Sequence, residues 1–118
     1  MATRELEKNQ WQHYFDRISR NLPASNVDLE VSGLDLGAQV EAQHLPLEGL
    51  SYDSKDDAFS IRCEGLEHRV YRPASISVRE DDAGALKAVE IVDEDGRQHI
   101  ARLTGALQLP GDGGRVGR

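Results

Sequence analysis

One cysteine, Cys63, occurs in 118 residues. A lone thiol forms neither an internal disulfide nor a thiolate metal cluster, which excludes the disulfide-stapled and zinc-ribbon classes of small domain. Long apolar runs are missing as well. None approaches the roughly 20 residues that cross a bilayer. No apolar stretch follows the start methionine, so the expectation is a soluble, cytoplasmic protein without membrane contact. Cations are the minority charge: 14 Lys and Arg face 21 Asp and Glu, for a net charge of -7. Binding to a phosphate backbone draws its affinity from Lys and Arg. The balance therefore disfavours a dedicated nucleic-acid binder, although a local basic patch survives the average.

Motifs that carry chemistry are equally scarce. The histidines at 13, 44, 68 and 99 have no His, Cys or clustered carboxylate at metal-ligand spacing. Cys63 alternates in phase with Phe59 and Ile61, as a buried inert thiol does. "DSKDD" (residues 53–57) resembles the start of a calcium loop, but its third position is Lys55 and glycine is missing from its sixth. Glu64 at the twelfth position is an isolated match. "GDGGRVG" follows no strand and opens no helix, so it is no phosphate cradle. No nucleophile elbow accompanies any Ser or Thr. These readings predict no catalytic residues, no metal and no cofactor, and so no enzyme.

What is present is an ordinary core-forming composition. Leu, Ile, Val and Phe total 28 residues, enough for one folded domain. Trp11, Phe15, Ile18 and Leu22 form one apolar stripe at helical spacing. A helix over about 10–21 follows, capped by Asn9 with Gln12 as its capping-box partner and stopped by Pro23.

From Asn26 the period becomes two. Val27, Leu29 and Val31 alternate with Asp28, Glu30 and Ser32. The next strand, "AQVEAQHLPLEGLSYD", carries Pro46 and Gly49, which predict a sharp bend or bulge. Phe59, Ile61 and Cys63 mark a third strand, "HRVYRP" a fourth, and Ile76 with Val78 a fifth. "LKAVEIV" and "RQHIARL" flank "DEDG" as a hairpin. A type I turn with Gly96 in the left-handed bulge position places Val89, Ile91, His99, Ala101 and Leu103 on one face. A two-residue turn would instead pair Ile91 with Ile100 and bring Arg102 inward beside Val89. The expected fold is mainly β: a small Sm-like or SH3-like barrel with an N-terminal α-helix and an appended C-terminal β-hairpin. It is one domain over 1–109, with strands over about 26–103 and a Gly-rich disordered tail at 110–118.

The start "MATRE", Trp11 with Phe15 and Asp16, "GLDLGAQVEAQHLPLEGLS" and the closing "VEIVDEDGRQHIARL" together carry a family resemblance. From "MATREL" to about Leu103 the chain resembles a bacterial family of uncharacterised small proteins, domain-of-unknown-function family 5335. That resemblance implies no activity. Separately, "RVYRPASISV" is similar to the strand 4–strand 5 corner of Hfq, the Sm-like RNA chaperone. Tyr71 and Arg72 stand at its aromatic and basic positions, and Pro73 stands where that family has a histidine. The resemblance implies single-strand RNA binding, and Pro73 removes the ring donor that would hold a nucleotide.

Two functional expectations follow. The first is a non-enzymatic protein-interaction or assembly module, with a protein as its partner. The alternative is an Hfq-like RNA-binding oligomer that uses aromatic stacking and a guanidinium. The candidate binding edge is Tyr52, Arg69, Tyr71 and Arg72, joined by Phe59 in the RNA reading. Tyr52 and Phe59 also have the plainer expectation of packing into the interior. Because the 86–103 hairpin is placed to cover the edge of the fifth strand, a monomer or small oligomer is expected in place of a ring.

Overall fold

In a computed structural model, which describes residues 2–35 and 37–105, the chain runs as one strand, one helix and seven further strands. They are β1 (Ala2–Leu6), α1 (Trp11–Arg20), β2 (Ser25–Gly33), β3 (Gly37–Asp53), β4 (Ala58–Cys63), β5 (Leu66–Tyr71), β6 (Pro73–Glu80), β7 (Leu86–Asp93) and β8 (Gln98–Gly105). The tail expected at 110–118 lies outside the described residues.

Every neighbouring pair of strands is antiparallel, in the order β1-β6-β7-β8-β2-β3-β4-β5. The two ends of that order, β1 and β5, do not pair with each other, so the eight strands form one open sheet where the sequence predicts a barrel. β1 has no counterpart among the strands that the sequence predicts. Of residues 3–6 in this strand only Leu6 reaches the core, and the strand is ordered by pairing with β6 from Ala2↔Glu80 to Leu6↔Ile76.

The bend expected around Pro46 and Gly49 organises the sheet. The first part of β3 pairs with β2 from Gly33↔Gly37 to Asn26↔Pro46, and the rest pairs with β4 from Leu47↔Cys63 onward. One long strand thus serves two halves of the sheet, with a bulge between Leu47 and Gly49. A separate irregularity interrupts the β2–β3 pairing between Val27 and Leu29, where His44 takes a left-handed φ of 53° and its N–H donates to Asp28 Oδ1 at 2.8 Å.

α1 covers this fold through Trp11, Tyr14 and Phe15, with Ile18 and Leu22 packed beside them. Phe15 meets Phe59 edge-on at 4.8 Å and Trp11 meets Tyr52 at 5.1 Å. Phe15 and Phe59 are fully buried, and burial of each side chain contributes about 1.5–3 kcal/mol. Ser19 Oγ donates to the Leu50 carbonyl at 2.5 Å, tying the helix to β3. The expected Asn9–Gln12 capping box is not formed. A 3-10 turn, Lys8–Gln10, feeds the helix directly, Gln10 occupies the cap without a side-chain bond, and its N–H bonds back to the Glu7 carbonyl at 2.8 Å.

The C-terminal hairpin has the expected register. Ile91 faces His99 and Val89 faces Ala101, with Gly96 at φ 85°. β7 then pairs along β6, so β6 is held between β1 and β7.

Candidate functional site

β5 is an edge strand whose free side opens on a cleft of about 400 Å³. The cleft is lined from four directions: β5 and its corner supply His68, Arg69, Tyr71 and Arg72, β3 supplies Glu41, β7 supplies Asp93, and the β7–β8 hairpin supplies Asp95, Arg97 and His99. A larger depression of about 580 Å³ lies between the end of α1 and the β6–β7 turn, but its titratable groups are only Arg17 and Lys87.

The β4–β5 register defines what the edge offers. The Arg72 N–H donates to the Asp57 carbonyl at 2.8 Å, and alternation from that bonded pair makes Val70, His68 and Leu66 the residues bonded to β4. Glu67, Arg69 and Tyr71 therefore direct their N–H and C=O groups outward. None of these groups has a backbone partner among the described residues. Side chains alternate too: Val70 is buried and His68 half-buried, while Tyr71 is 58% exposed.

Three of the four residues singled out in the sequence meet here. Arg69 has its guanidinium 5.5 Å from the centre of the Tyr71 ring, with Asp56 at 3.8 Å and Glu67 at 3.9 Å. Its Nε is buried without a partner among the described residues. Arg72 precedes Pro73 yet has a left-handed φ of 53°. Such a conformation costs on the order of 1–3 kcal/mol and is held by two backbone bonds: N–H to Asp57, and C=O from the Glu94 N–H at 3.1 Å.

Tyr52 lies elsewhere. It is buried against Trp11, its hydroxyl donates to Asp57 Oδ1 at 2.6 Å, and burial followed by that bond pushes its hydroxyl up to about 12. Phe59 is likewise in the core.

Deep in the cleft is a chain of side chains that no sequence spacing brings together. Asp93 Oδ2 and His99 Nε2 are 2.9 Å apart, and His99 Nδ1 and His68 Nε2 are 2.9 Å apart. The other Asp93 oxygen accepts the N–H groups of Asp95 at 2.9 Å and Arg97 at 3.0 Å. Burial acts to raise the Asp93 carboxyl, but the His99 bond and these two backbone donors outweigh it and hold the group below its ordinary value. Burial, then the neighbouring His99, lowers the His68 imidazole, with Glu41 acting the other way.

The half-signals are visible in the sequence. His99 alternates with Val89 and Ile91 on a buried face, and a polar group there requires a partner. His68 is in phase with Val70. Asp93 reads only as a turn residue.

Comparison with known proteins places the chain beside a family model and a bacterial relative. The model of a family of unknown function, DUF5335, matches residues 2–112. An uncharacterized protein of Aquifex aeolicus (strain VF5) is 47% identical over 111 residues, covering 93% of this chain and 99% of the relative. No solved structure matches the chain.

Proposed function

The chain belongs to the family of unknown function DUF5335, and on that premise we propose that it is a non-enzymatic interaction module which takes an extended segment of a protein partner along the free edge of β5. The observation that carries this reading is the outward, unpaired backbone of Glu67, Arg69 and Tyr71 beside a lined cleft. Strand addition uses such an edge for affinity and adjoining pockets for specificity. The charged side chains of Glu67 and Arg69 discourage indiscriminate pairing.

The cleft lining favours binding over nucleophilic catalysis. It contains no Ser, Thr or Cys among the described residues. Cys63 is buried, and burial with Glu48 nearby raises its thiol. No helix among the described residues is long and apolar enough to cross a membrane. We place the partner in the same cytoplasmic setting that the composition suggests.

The Hfq-like alternative has less support. Pairing β1 and β7 onto β6 occupies both sides of the strand that a ring of Sm-like subunits would share, and Tyr52 and Phe59 are packed inside.

The test is cross-linking in the native cell with wild type and two variants, Arg69→Pro and Arg69→Ala. Proline removes one outward N–H without touching the bonds to β4, so the partner cross-linked at β5 should be lost with proline and kept with alanine. Equal recovery with all three chains overturns the reading. So does an electrophoretic shift with uridine-rich RNA at low salt that β5 variants abolish.

A further inference from the structure

The hydrogen-bond chain at the base of the cleft has a direction. An ionised Asp93 can only accept, so His99 gives it the Nε2 proton. With both imidazoles neutral, His99 Nδ1 must then accept, and His68 Nε2 must donate to it. The remaining ring nitrogen, His68 Nδ1, ends the chain as a bare acceptor. It has no further hydrogen bond among the described residues.

The cations around it already have partners, and one of the acids does not. Each cation in the cleft has an acid: Arg69 has Asp56 and Glu67, Arg72 has Glu94 at 3.5 Å, and Arg97 has Asp35 at 2.7 Å. Glu41, near enough to act on His68, has no hydrogen bond or ion pair among the described residues. Asp95 adds a further negative charge at the rim.

We propose that the cleft recognises a basic partner segment, seating a lysine or arginine side chain between His68 Nδ1 and the Glu41 carboxylate. This rests on the strand-addition reading and names the class of its partner. An ammonium or guanidinium supplies the donors that this pair of acceptors lacks, and a charge-assisted bond of that kind is among the stronger ones. A carboxylate in the same place would meet Glu41 and a lone pair.

Acid reverses the preference. The charged and titratable groups that line the cleft with His68 are Glu41 from β3, Arg69 and Arg72 from β5 and its corner, Asp93 from β7, Asp95 and Arg97 from the turn, and His99 from β8, and of these His99 and Glu41 act on it directly. A proton on Nδ1 turns the acceptor into a positively charged donor among them and expels the cation.

The test uses the whole ¹⁵N-labelled chain and short strand-forming peptides of alternating Thr and Val that differ only in a central Lys, Thr or Glu. The Lys peptide should bind on the order of tenfold more tightly than the Thr peptide at neutral pH. Its binding should move the His68 Nδ1 resonance, and Glu41→Gln should erase the difference. Equal binding of all three peptides at β5 overturns this inference and leaves the edge reading standing. If no peptide perturbs β5, the edge reading falls, and n-butylammonium decides the site alone. Movement of His68 Nδ1 in wild type but not in Glu41→Gln supports it, and no movement overturns it.

Discussion

His68 Nε2 and His99 Nδ1 lie 2.9 Å apart across the mouth of the sheet, joining the edge strand β5 to the interior strand β8. The bond needs a single proton between the two rings. It also links the half-buried Asp93 carboxylate to the edge strand through His99, fixing which ring nitrogens carry protons. Recognition chemistry and the stability of the mouth therefore share one proton inventory.

Acid should weaken the fold in two steps. The ordinary value for a histidine is 6.5, and His68 is lowered from it, so below that pH the unfolded chain binds a proton that the folded chain resists. Stability from this group is complete above the unfolded value and is lost as pH falls towards the folded one. Asp93, lowered from 3.8, adds a second loss further down. The expected outcome is a urea midpoint that falls between about pH 7.5 and about pH 5 with an unchanged slope. His68→Gln should flatten that part of the profile. A midpoint that rises on acidification would contradict the assignment.

What local pattern encodes was legible, and what distant pairing creates was not. The bend in β3 follows from Pro46 and Gly49, and the register of Ile91 opposite His99 follows from Gly96. β1 is not legible because "ATREL" has no apolar period and is ordered by β6, whose paired residues lie 70 or more positions away. Tyr14, three residues after Trp11 and four before Ile18, flanks the Trp11–Phe15–Ile18–Leu22 stripe and is buried with it, and what the sequence does not show is that its hydroxyl donates to Glu80 at 2.6 Å. For the site, Arg69, Tyr71 and Arg72 were found as a basic, aromatic run. The Asp93–His99–His68 chain needed β5 to fold back over β8, which no spacing announces.

Tyr52 and Tyr71 should separate cleanly. Tyr52→Phe removes a buried hydroxyl bonded to Asp57 and should cost about 1–2 kcal/mol of stability while leaving partner binding intact. Tyr71→Ala removes an exposed ring and should leave stability within about 0.5 kcal/mol, with binding at β5 weakened. Chemical unfolding and peptide titration of the two variants check both arms, and the opposite assignment of effects would return Tyr52 to the binding edge.

The covered edges of β6 make an assembly prediction. Its two sides are taken by β1 and β7, which leaves no free side for the shared strand of a six- or seven-subunit ring. Light scattering should give a monomer or small oligomer. A ring-sized mass would require β1 or the hairpin to leave β6.

Asp93→Asn offers the sharpest test of direction. The asparagine carbonyl can keep the N–H bonds of Asp95 and Arg97, but its amide then presents a donor to His99 Nε2. His99 must switch tautomer to accept there, its Nδ1 becomes the donor, and His68 Nε2 becomes the acceptor. The proton of His68 is thereby moved to Nδ1, and the end of the chain changes from acceptor to donor. The exchange should cost about 1–3 kcal/mol, because a charged acceptor is lost from a buried network. Imidazole ¹⁵N shifts should show both rings protonated at Nε2 in wild type and at Nδ1 in the variant. Preference for the Lys peptide over the Glu peptide should shrink or invert with the same substitution. If the tautomers stay as they were while stability falls, the carboxylate serves only to hold the turn, and the chain carries no direction.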